Sequence, residues 1–197
     1  MKILVIVDMQ NDFITGPLGT PEAQAIVPKV CELIRTGGYD EICYTKDTHD
    51  TDYLNTHEGQ WLQIEHCMNG THGWEYEQSV KDELRHLILQ RAVDYTDGKR
   101  KNIGVSAFPK RTFASNSLSN HLAFERGCEK KDIERIDICG VCTNICVISN
   151  ALLIRTALPE TDITVIADAC AGTTPEMHQK ALDVMKSCHI TLRWPND

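Results

Sequence analysis

The sequence predicts an α/β fold with a mainly parallel six-stranded sheet and helices on both of its faces. Short apolar runs alternate along the chain with helix-length stretches, which is the succession that a parallel sheet requires. The runs at 3–7 and 163–167 are nearly continuous in Val, Ile and Leu, as in strands buried on both faces. Pro21 and Pro175 fit the first position of a helix. With 197 residues, the chain is expected to form a single domain over 1–197.

The elements follow in order from these patterns. Strands are predicted at 3–7, 41–45, 103–108, 135–139, 163–167 and 190–192. Helices are predicted at 21–36, 77–90, 115–126, 143–156 and 175–187. The segment 47–74 has no such pattern, and an irregular loop of this length in a compact domain is usually functional.

Composition excludes several classes of function. The chain carries 20 basic and 28 acidic side chains, a net charge of −8, so no nucleic-acid partner is expected, and 99–101 (KRK) is interpreted as a solvated turn. No apolar run approaches the length of a membrane span, and the start lacks the pattern of a signal peptide, which together predict a cytoplasmic protein with no membrane partner. Most of the nine cysteines are expected to be reduced and buried, and four are interpreted as packing residues: Cys128, Cys139, Cys170 and Cys188.

Chemically active side chains follow four of the predicted strands. Asp8 comes after the first strand, Asp47 and His49 after the second, Lys110 after the third, and Cys146 shortly after the fourth. Open parallel sheets bind ligands beyond the carboxyl ends of their strands. These groups should therefore meet at one edge of the sheet, where a carboxylate and an amine beside a thiol would supply a nucleophile with its own base.

Cys146 is the candidate nucleophile. If Thr143 caps the following helix, Cys146 lies in its first turn, where backbone N–H groups and the helix dipole favour a thiolate and could hold an oxyanion. Cys142 is a competing nucleophile, and Asp12, expected to be solvated, is an alternative acid to Asp8. Structural roles remain open: Cys146 as a packing residue, and Asp8 with Lys110 as a salt bridge.

The loop after the second strand contains a candidate metal site. Asp47 and His49, two residues apart, can face one centre from an extended chain, and His57, Glu58 and His66 follow in the same loop. A mixed set of nitrogen and oxygen ligands suits zinc, manganese or iron. The alternative is a polar surface loop. Three aromatic residues could line a substrate pocket or simply cover the edge of the sheet: Phe13, Trp61 and Trp74. Of these, Phe13 and Trp61 are the candidates for substrate binding.

These motifs together resemble the isochorismatase-like cysteine hydrolases, and their nicotinamidase branch in particular. The resemblance is carried by 8–13 (DMQNDF), 47–49 (DTH), 66–67 (HC), Lys110 and 140–147 (GVCTNICV), which occur in the family's order. It implies a single isochorismatase-like hydrolase domain with a Rossmann-like three-layer sandwich.

The resemblance also implies the roles of individual residues. Asp8, Lys110 and Cys146 match the family's catalytic triad. The Val141–Cys142 peptide matches its cis bond, and the N–H groups of Cys142 and Cys146 match its oxyanion hole. One divalent metal ion is implied, zinc in the first place with manganese or iron as alternatives. Its expected ligands are Asp47, His49, Glu58 and His66, with His57 as the rival to Glu58.

The activity implied by the resemblance is that of a metal-dependent cysteine amidohydrolase, which converts nicotinamide and water into nicotinate and ammonia through a thioester. The expected partners are a small-molecule amide and further copies of the chain in a homo-oligomer. Three alternatives stay open: hydrolysis of another amide, carbamoyl or vinyl-ether substrate, a thiol- or zinc-binding sensor without turnover, and a metallohydrolase in which Cys146 is inert.

Overall fold

The computed structural model describes residues 1–97, 103–127 and 132–194. Its six-stranded sheet is parallel throughout, with the strand order β3-β2-β1-β4-β5-β6. The strands are β1 Lys2–Val7, β2 Glu41–Asp47, β3 Gly104–Lys110, β4 Arg135–Val141, β5 Asp162–Ala171 and β6 Thr191–Arg193. The predicted fold class is therefore confirmed. The turn predicted at 99–101 and the packing role predicted for Cys128 lie outside the described residues.

Helices cover the sheet in two layers. They are α1 Asn11–Ile14, α2 Pro21–Thr36, α3 His57–Trp61, α4 Gln78–Asp97, α5 Asn116–Gly127, α6 Ile148–Ala157 and α7 Pro175–Ser187. One layer contains α2 and α4, which pack against each other, and the other contains α6 between α5 and α7. Pro21 and Pro175 begin α2 and α7 as predicted, and the preceding Thr20 and Thr174 cap these helices. Among the described residues, no helix is both long and apolar enough to cross a bilayer.

Two segments differ in type from the predictions. The predicted helix at 143–156 begins instead with a π-turn, Thr143–Val147, and α6 follows it. Thr143 does not cap a helix, because its hydroxyl pairs with His178 Nδ1 at 2.8 Å. The irregular segment 47–74 contains a 3₁₀ turn, Tyr53–Asn55, as well as α3.

The strand order places a crevice at the carboxyl ends of β1 and β4. The strands that follow β1 in the sequence, β2 and β3, lie on one side of it in the sheet. The strands that follow β4, β5 and β6, lie on the opposite side. Loops leaving the neighbouring ends of β1 and β4 therefore diverge, which opens the space where doubly wound folds bind ligands. Asp8 directly follows β1 in a left-handed conformation, with φ 48°, and turns the chain toward this crevice.

Gly140 allows β4 to lie close against the end of β1. Its φ is +117°, and a Cβ atom there would lie 2.1 Å from the carbonyl oxygen of Val7, its partner in the sheet. We expect Gly140→Ala to lower the free energy of unfolding by at least about 3 kcal/mol, because overpacking adds to backbone strain. Urea unfolding measures this change. Gly38→Ala is the control, since its φ is +65° with no atom within 4 Å of the added Cβ; a similar loss in both variants would contradict the steric explanation.

Candidate active site and metal centre

Lys110 contacts both of the other residues of the candidate triad. Its Nζ lies 2.7 Å from Asp8 Oδ2 and 3.6 Å from Cys146 Sγ. All three residues are buried. A thiol, a carboxylate and an ammonium group from distant parts of the chain therefore form one cluster within direct contact distance.

The sheet itself positions this cluster. Lys110 is the last residue of β3, and it pairs in register with Asp47, the last residue of β2. Two residues earlier on β2, the Thr45 hydroxyl donates a hydrogen bond of 2.7 Å to Asp8 Oδ1. Three adjacent strand ends thus hold the acid and the amine at fixed positions.

Burial dominates the ionisation of two members of the triad, Asp8 and Cys146. It raises the pKa of Asp8, against the opposing charge of Lys110. It also raises the pKa of the Cys146 thiol well above its ordinary value, although the Lys110 charge lowers it. Cys146 lies in the π-turn rather than in the first turn of a regular α-helix, and desolvation disfavours the charged form of its thiol. A base must remove its proton, and Asp8 makes a hydrogen bond to this thiol.

Four side chains from the end of β2 and the loop that follows it converge on one point. Atoms of Asp47, His49, Glu58 and His66 all lie within 4.8 Å of one another. Asp47 Oδ2 is 3.1 Å from His49 Nε2 and 3.5 Å from His66 Nε2, and Glu58 Oε1 is 3.9 Å from both ring nitrogens. Two carboxylates and two imidazoles form a donor set that fits a divalent metal ion and balances its charge.

The environments of His66 and Asp47 suit metal ligands. His66 Nδ1 donates to the carbonyl oxygen of Ile64 at 2.8 Å, which leaves Nε2 with a lone pair toward the cluster. Burial alone would raise the pKa of Asp47, but hydrogen bonds from His49 and His66 and the charge of Lys110 hold it well below its usual range. The Asp47 carboxylate is therefore ionised and available as a ligand.

Lys110 also connects the triad to the metal cluster. Its Nζ lies 3.5 Å from Asp47 Oδ1 as well as 2.7 Å from Asp8 Oδ2. Burial alone would lower the pKa of Lys110, but Asp8, Cys146 and Asp47 together keep it above its ordinary value. The amine is therefore a permanent cation between the two halves of the site.

Three residues whose structural roles the sequence did not indicate hold the metal loop in place. Gln10 bridges β2 and the loop, because its side-chain amide donates to Asp47 O and Trp74 O and accepts from Asp47 N. Asp12, predicted to be solvated, instead accepts a hydrogen bond of 2.7 Å from Cys67 N. Tyr53 is fully buried, and its ring packs against His49 and His66; nothing in the local sequence distinguishes it from a packing residue.

A cavity of about 330 Å³ lies between the triad and the metal cluster. Cys142 and Cys146 line it together with Asp47, Glu58 and His66. The rest of its wall consists of five residues from α1 and the segment between α1 and α2 and of four residues elsewhere in the chain. The five are Phe13, Pro17, Leu18, Gly19 and Thr20, and the four are Leu62, Phe113, Ile145 and Thr173. The Val141–Cys142 peptide bond beside the cavity is cis, as the resemblance implies. This cavity is large enough for a single aromatic amide to touch thiol and metal cluster at once.

The two predicted aromatic residues lie in different places. Phe13 lines the cavity beside Cys146 and packs edge-on against His66, 5.5 Å between ring centroids. Trp61 does not reach this cavity, because it ends the short helix α3 and its side chain is 83% exposed, packed against His57. Both Trp61 and His57 line an adjoining cavity of about 870 Å³. The structure therefore supports neither Trp61 as a residue of the cavity at Cys146 nor His57 in place of Glu58.

Comparisons with known proteins find relatives that match nearly the whole chain. A nicotinamidase of Schizosaccharomyces pombe is 26% identical over 95% of this chain and 90% of its own. An Arabidopsis thaliana protein described as a probable inactive nicotinamidase is 28% identical over 95% of this chain and 89% of its own. The crystal structure of a Pyrococcus horikoshii pyrazinamidase in complex with zinc is 26% identical and matches with a TM-score of 0.72 over 98% of both chains.

The family assignment rests on a match over nearly the whole chain. The sequence profile of the isochorismatase domain matches residues 2–194, which include all strands and every candidate site residue. Together with the fold of the solved relative, this match confirms the resemblance and the isochorismatase-like α/β fold that the sequence predicts. The chain belongs to the isochorismatase family.

Proposed function

We propose that this chain is a metal-dependent cysteine amidohydrolase that converts nicotinamide and water into nicotinate and ammonia. The observation that carries the proposal is the position of Lys110, whose ammonium group contacts Asp8, Cys146 and Asp47. A nucleophile with its base and a metal cluster thus share one cavity. The nicotinamidase of Schizosaccharomyces pombe and the pyrazinamidase of Pyrococcus horikoshii support the choice of an aromatic amide as substrate.

The chemistry follows from the order of the three groups. Asp8 takes the proton of the Cys146 thiol, and the thiolate attacks the carboxamide carbon. Backbone N–H groups of Cys142 and Cys146 hold the oxyanion, and its collapse expels ammonia with the proton returned by Asp8. Water then attacks the thioester while Asp8 accepts its proton, and the departing sulfur is protonated again. Lys110 keeps the charges of Asp8 and the thiolate balanced in each of these steps.

We propose zinc as the metal, with manganese or iron as alternatives, held by Asp47, His49, Glu58 and His66. When bound, the ion supplies a Lewis-acidic anchor for a ring nitrogen of the substrate and so orients the amide. Phe13 covers the histidine side of the cavity, and its ring excludes water from the amide. The pyrazinamidase of Pyrococcus horikoshii forms a complex with zinc, which supports this choice.

A second candidate function is hydrolysis of a larger amide at the same thiol. The cavity of about 870 Å³ adjoins the smaller one and shares Glu58, Leu62, Phe113 and Ile145 with it. A substrate with an apolar extension could therefore occupy both spaces. An assay of ammonia release distinguishes the candidates, with nicotinamide, pyrazinamide, benzamide and longer aryl amides, each before and after treatment with a chelator.

We expect nicotinamide to be hydrolysed faster than benzamide, because only a ring nitrogen can bind the metal, and the preference should vanish in chelator. A preference for the longer amides would favour the second candidate. No ammonia release from any amide, in protein that contains its metal, would contradict both candidate functions.

Assembly into a homo-oligomer stays a prediction, which light scattering of the metal-loaded protein tests.

Removal of one metal ligand should weaken metal binding without disturbing the triad. We expect His49→Gln to lower zinc affinity by more than about 100-fold and to raise KM for nicotinamide, since losing even an outer-shell partner costs up to that much. His49 is suitable because its side-chain contacts are with Asp47, Glu58 and aromatic rings. Metal content by mass spectrometry and steady-state kinetics measure both effects.

His57→Gln is the matched control, because His57 belongs to the same loop and lines the same adjoining cavity as His49 but is not part of the metal cluster. It should retain the metal and the KM of the unaltered protein. Loss of zinc in His57→Gln with full retention in His49→Gln would assign the metal to a different ligand set.

A further inference from the structure

A second group of metal-ligating side chains lies at the opposite end of β2 from the active site. Glu41, Cys43 and His121 bring their ligand atoms within 4.8 Å of one another. Glu41 Oε1 lies 3.6 Å from Cys43 Sγ and 2.9 Å from His121 Nε2. Glu41 and Cys43 are buried, and His121 is half-buried. The proposed mechanism uses none of these residues.

The local structure brings the three side chains to one point. Glu41 and Cys43 are two residues apart on β2, so they face the same side of the sheet. His121 is on α5, the helix that packs against the neighbouring strand β3. Gly104 pairs with Glu41 in that strand, and a Cβ atom there would lie 3.2 Å from Glu41 Cγ. The absence of a side chain at Gly104 therefore leaves the space that Glu41 occupies.

The distances approach those of a zinc site. Tetrahedral coordination, with Zn–S near 2.3 Å and Zn–O near 2.0 Å, places the sulfur and oxygen ligands about 3.5 Å apart. The 3.6 Å between Cys43 Sγ and Glu41 Oε1 meets this value. The 2.9 Å from Glu41 to His121 is a hydrogen bond that has to lengthen by a few tenths of an ångström, a change that the half-buried imidazole can make.

The charges of the three side chains are also suitable for a divalent cation. Glu41 as a carboxylate, Cys43 as a thiolate and His121 as a neutral imidazole would together neutralise a divalent cation at a place where an uncompensated ion is costly. Binding would release the thiol proton to the solvent as the metal–sulfur bond forms. Glu125, one helical turn beyond His121, is also buried, which adds a second carboxyl group to the surroundings of the site.

We propose that Glu41, Cys43 and His121 form a second metal site, of the structural thiolate-imidazole-carboxylate type, for a zinc-class divalent ion. It is separate from the cluster at the active site, because Cys43 and Asp47 are four residues apart along β2, about 13 Å at 3.3 Å per residue. An ion there would tie α5 to β2. This proposal does not depend on the proposed amidase activity.

Cobalt(II) distinguishes the second site from the first. The cluster of Asp47, His49, Glu58 and His66 contains no sulfur ligand, so a thiolate-to-cobalt charge-transfer band in the near ultraviolet would report Cys43. We expect the chelator-treated full chain to bind two equivalents of cobalt, one of which produces this band. Cys43→Ser should abolish the band, and His121→Gln should weaken cobalt affinity at this site at least tenfold.

Two variants serve as controls. His49→Gln should lose the other equivalent and keep the band, and Cys146→Ala should keep both, which excludes the catalytic thiol as the source. His121→Gln changes a half-buried residue outside the triad and the active-site metal cluster and should hydrolyse nicotinamide within twofold of the unaltered protein, so that a failure of the amidase proposal leaves this test intact. One equivalent of cobalt without a thiolate band, or a band unaffected by Cys43→Ser, would overturn the proposal and leave Glu41 and His121 as a hydrogen-bonded pair.

Discussion

Replacing Cys146 with alanine is expected to lower the rate of nicotinamide hydrolysis by at least about 10³-fold, because the reaction loses its covalent route. The metal and the fold should remain. Cys146 lies in the π-turn Thr143–Val147, outside the cluster of metal ligands, and its removal leaves the Lys110–Asp8 ion pair in place. Ammonia release, metal content and thermal unfolding of the same preparation measure the three properties.

Cys142→Ala is the matched control, because Cys142 lines the same cavity and burial raises the pKa of its thiol to about 12. Only its backbone N–H has a role in the proposed mechanism, so this variant should retain most of the activity. If Cys142→Ala is inactive and Cys146→Ala active, the nucleophile is Cys142. If both are active and metal is still required, the enzyme is a metallohydrolase in which neither thiol reacts.

Lys110→Met is expected to lower the free energy of unfolding by about 3–5 kcal/mol, in addition to abolishing turnover. Breaking a buried ion pair leaves an uncompensated charge, and here both Asp8 and Asp47 lose the same cation. Asp8 is fully buried, so water cannot replace the lost partner without reorganisation of the site. Chemical denaturation of the metal-free and metal-loaded protein measures the loss.

A double variant tests the origin of that loss. Asp8→Asn combined with Lys110→Met removes both charges and should recover part of the stability but none of the activity. Lys180→Met, which removes an exposed ion pair with Glu176, should change stability by about 0.5 kcal/mol or less. If Lys110→Met is as stable as Lys180→Met, Asp8 is already neutral in the folded protein, and the proposed balance of charges in the triad is wrong.

Sequence patterns predicted the order and type of the principal elements because buried strands consist mainly of apolar residues. Residues 3–7 are fully buried, and their continuous apolar run indicated it. The end of β3 was predicted two residues short, at 108, and Pro109 lies in the part that was missed. Proline is tolerated there because β3 is at the edge of the sheet. Edge position is a property of the assembled sheet and has no local signal.

Part of the candidate site was also predictable from the sequence. Topology alone placed Asp8, Asp47 and Lys110 at one edge, and the structure brings them together. The π-turn was not predictable, because its hydrogen bond from Val147 N to Cys142 O has no characteristic residue preference. Sequence position suggested that a helix dipole favours a thiolate at Cys146, but it does not report the depth of burial, which raises the pKa of this thiol.

The pairing of Asp47 with Lys110 in β2 and β3 determines how this chemistry could be transferred to another scaffold. The two side chains face each other because their strands are in register, and a slip of one residue would turn Lys110 to the opposite face. Grafting the loops alone would therefore carry over a thiol and some ligands without their shared cation. A designer has to transplant three neighbouring strands as a unit, together with the loop after β2 that contains His49, Glu58 and His66.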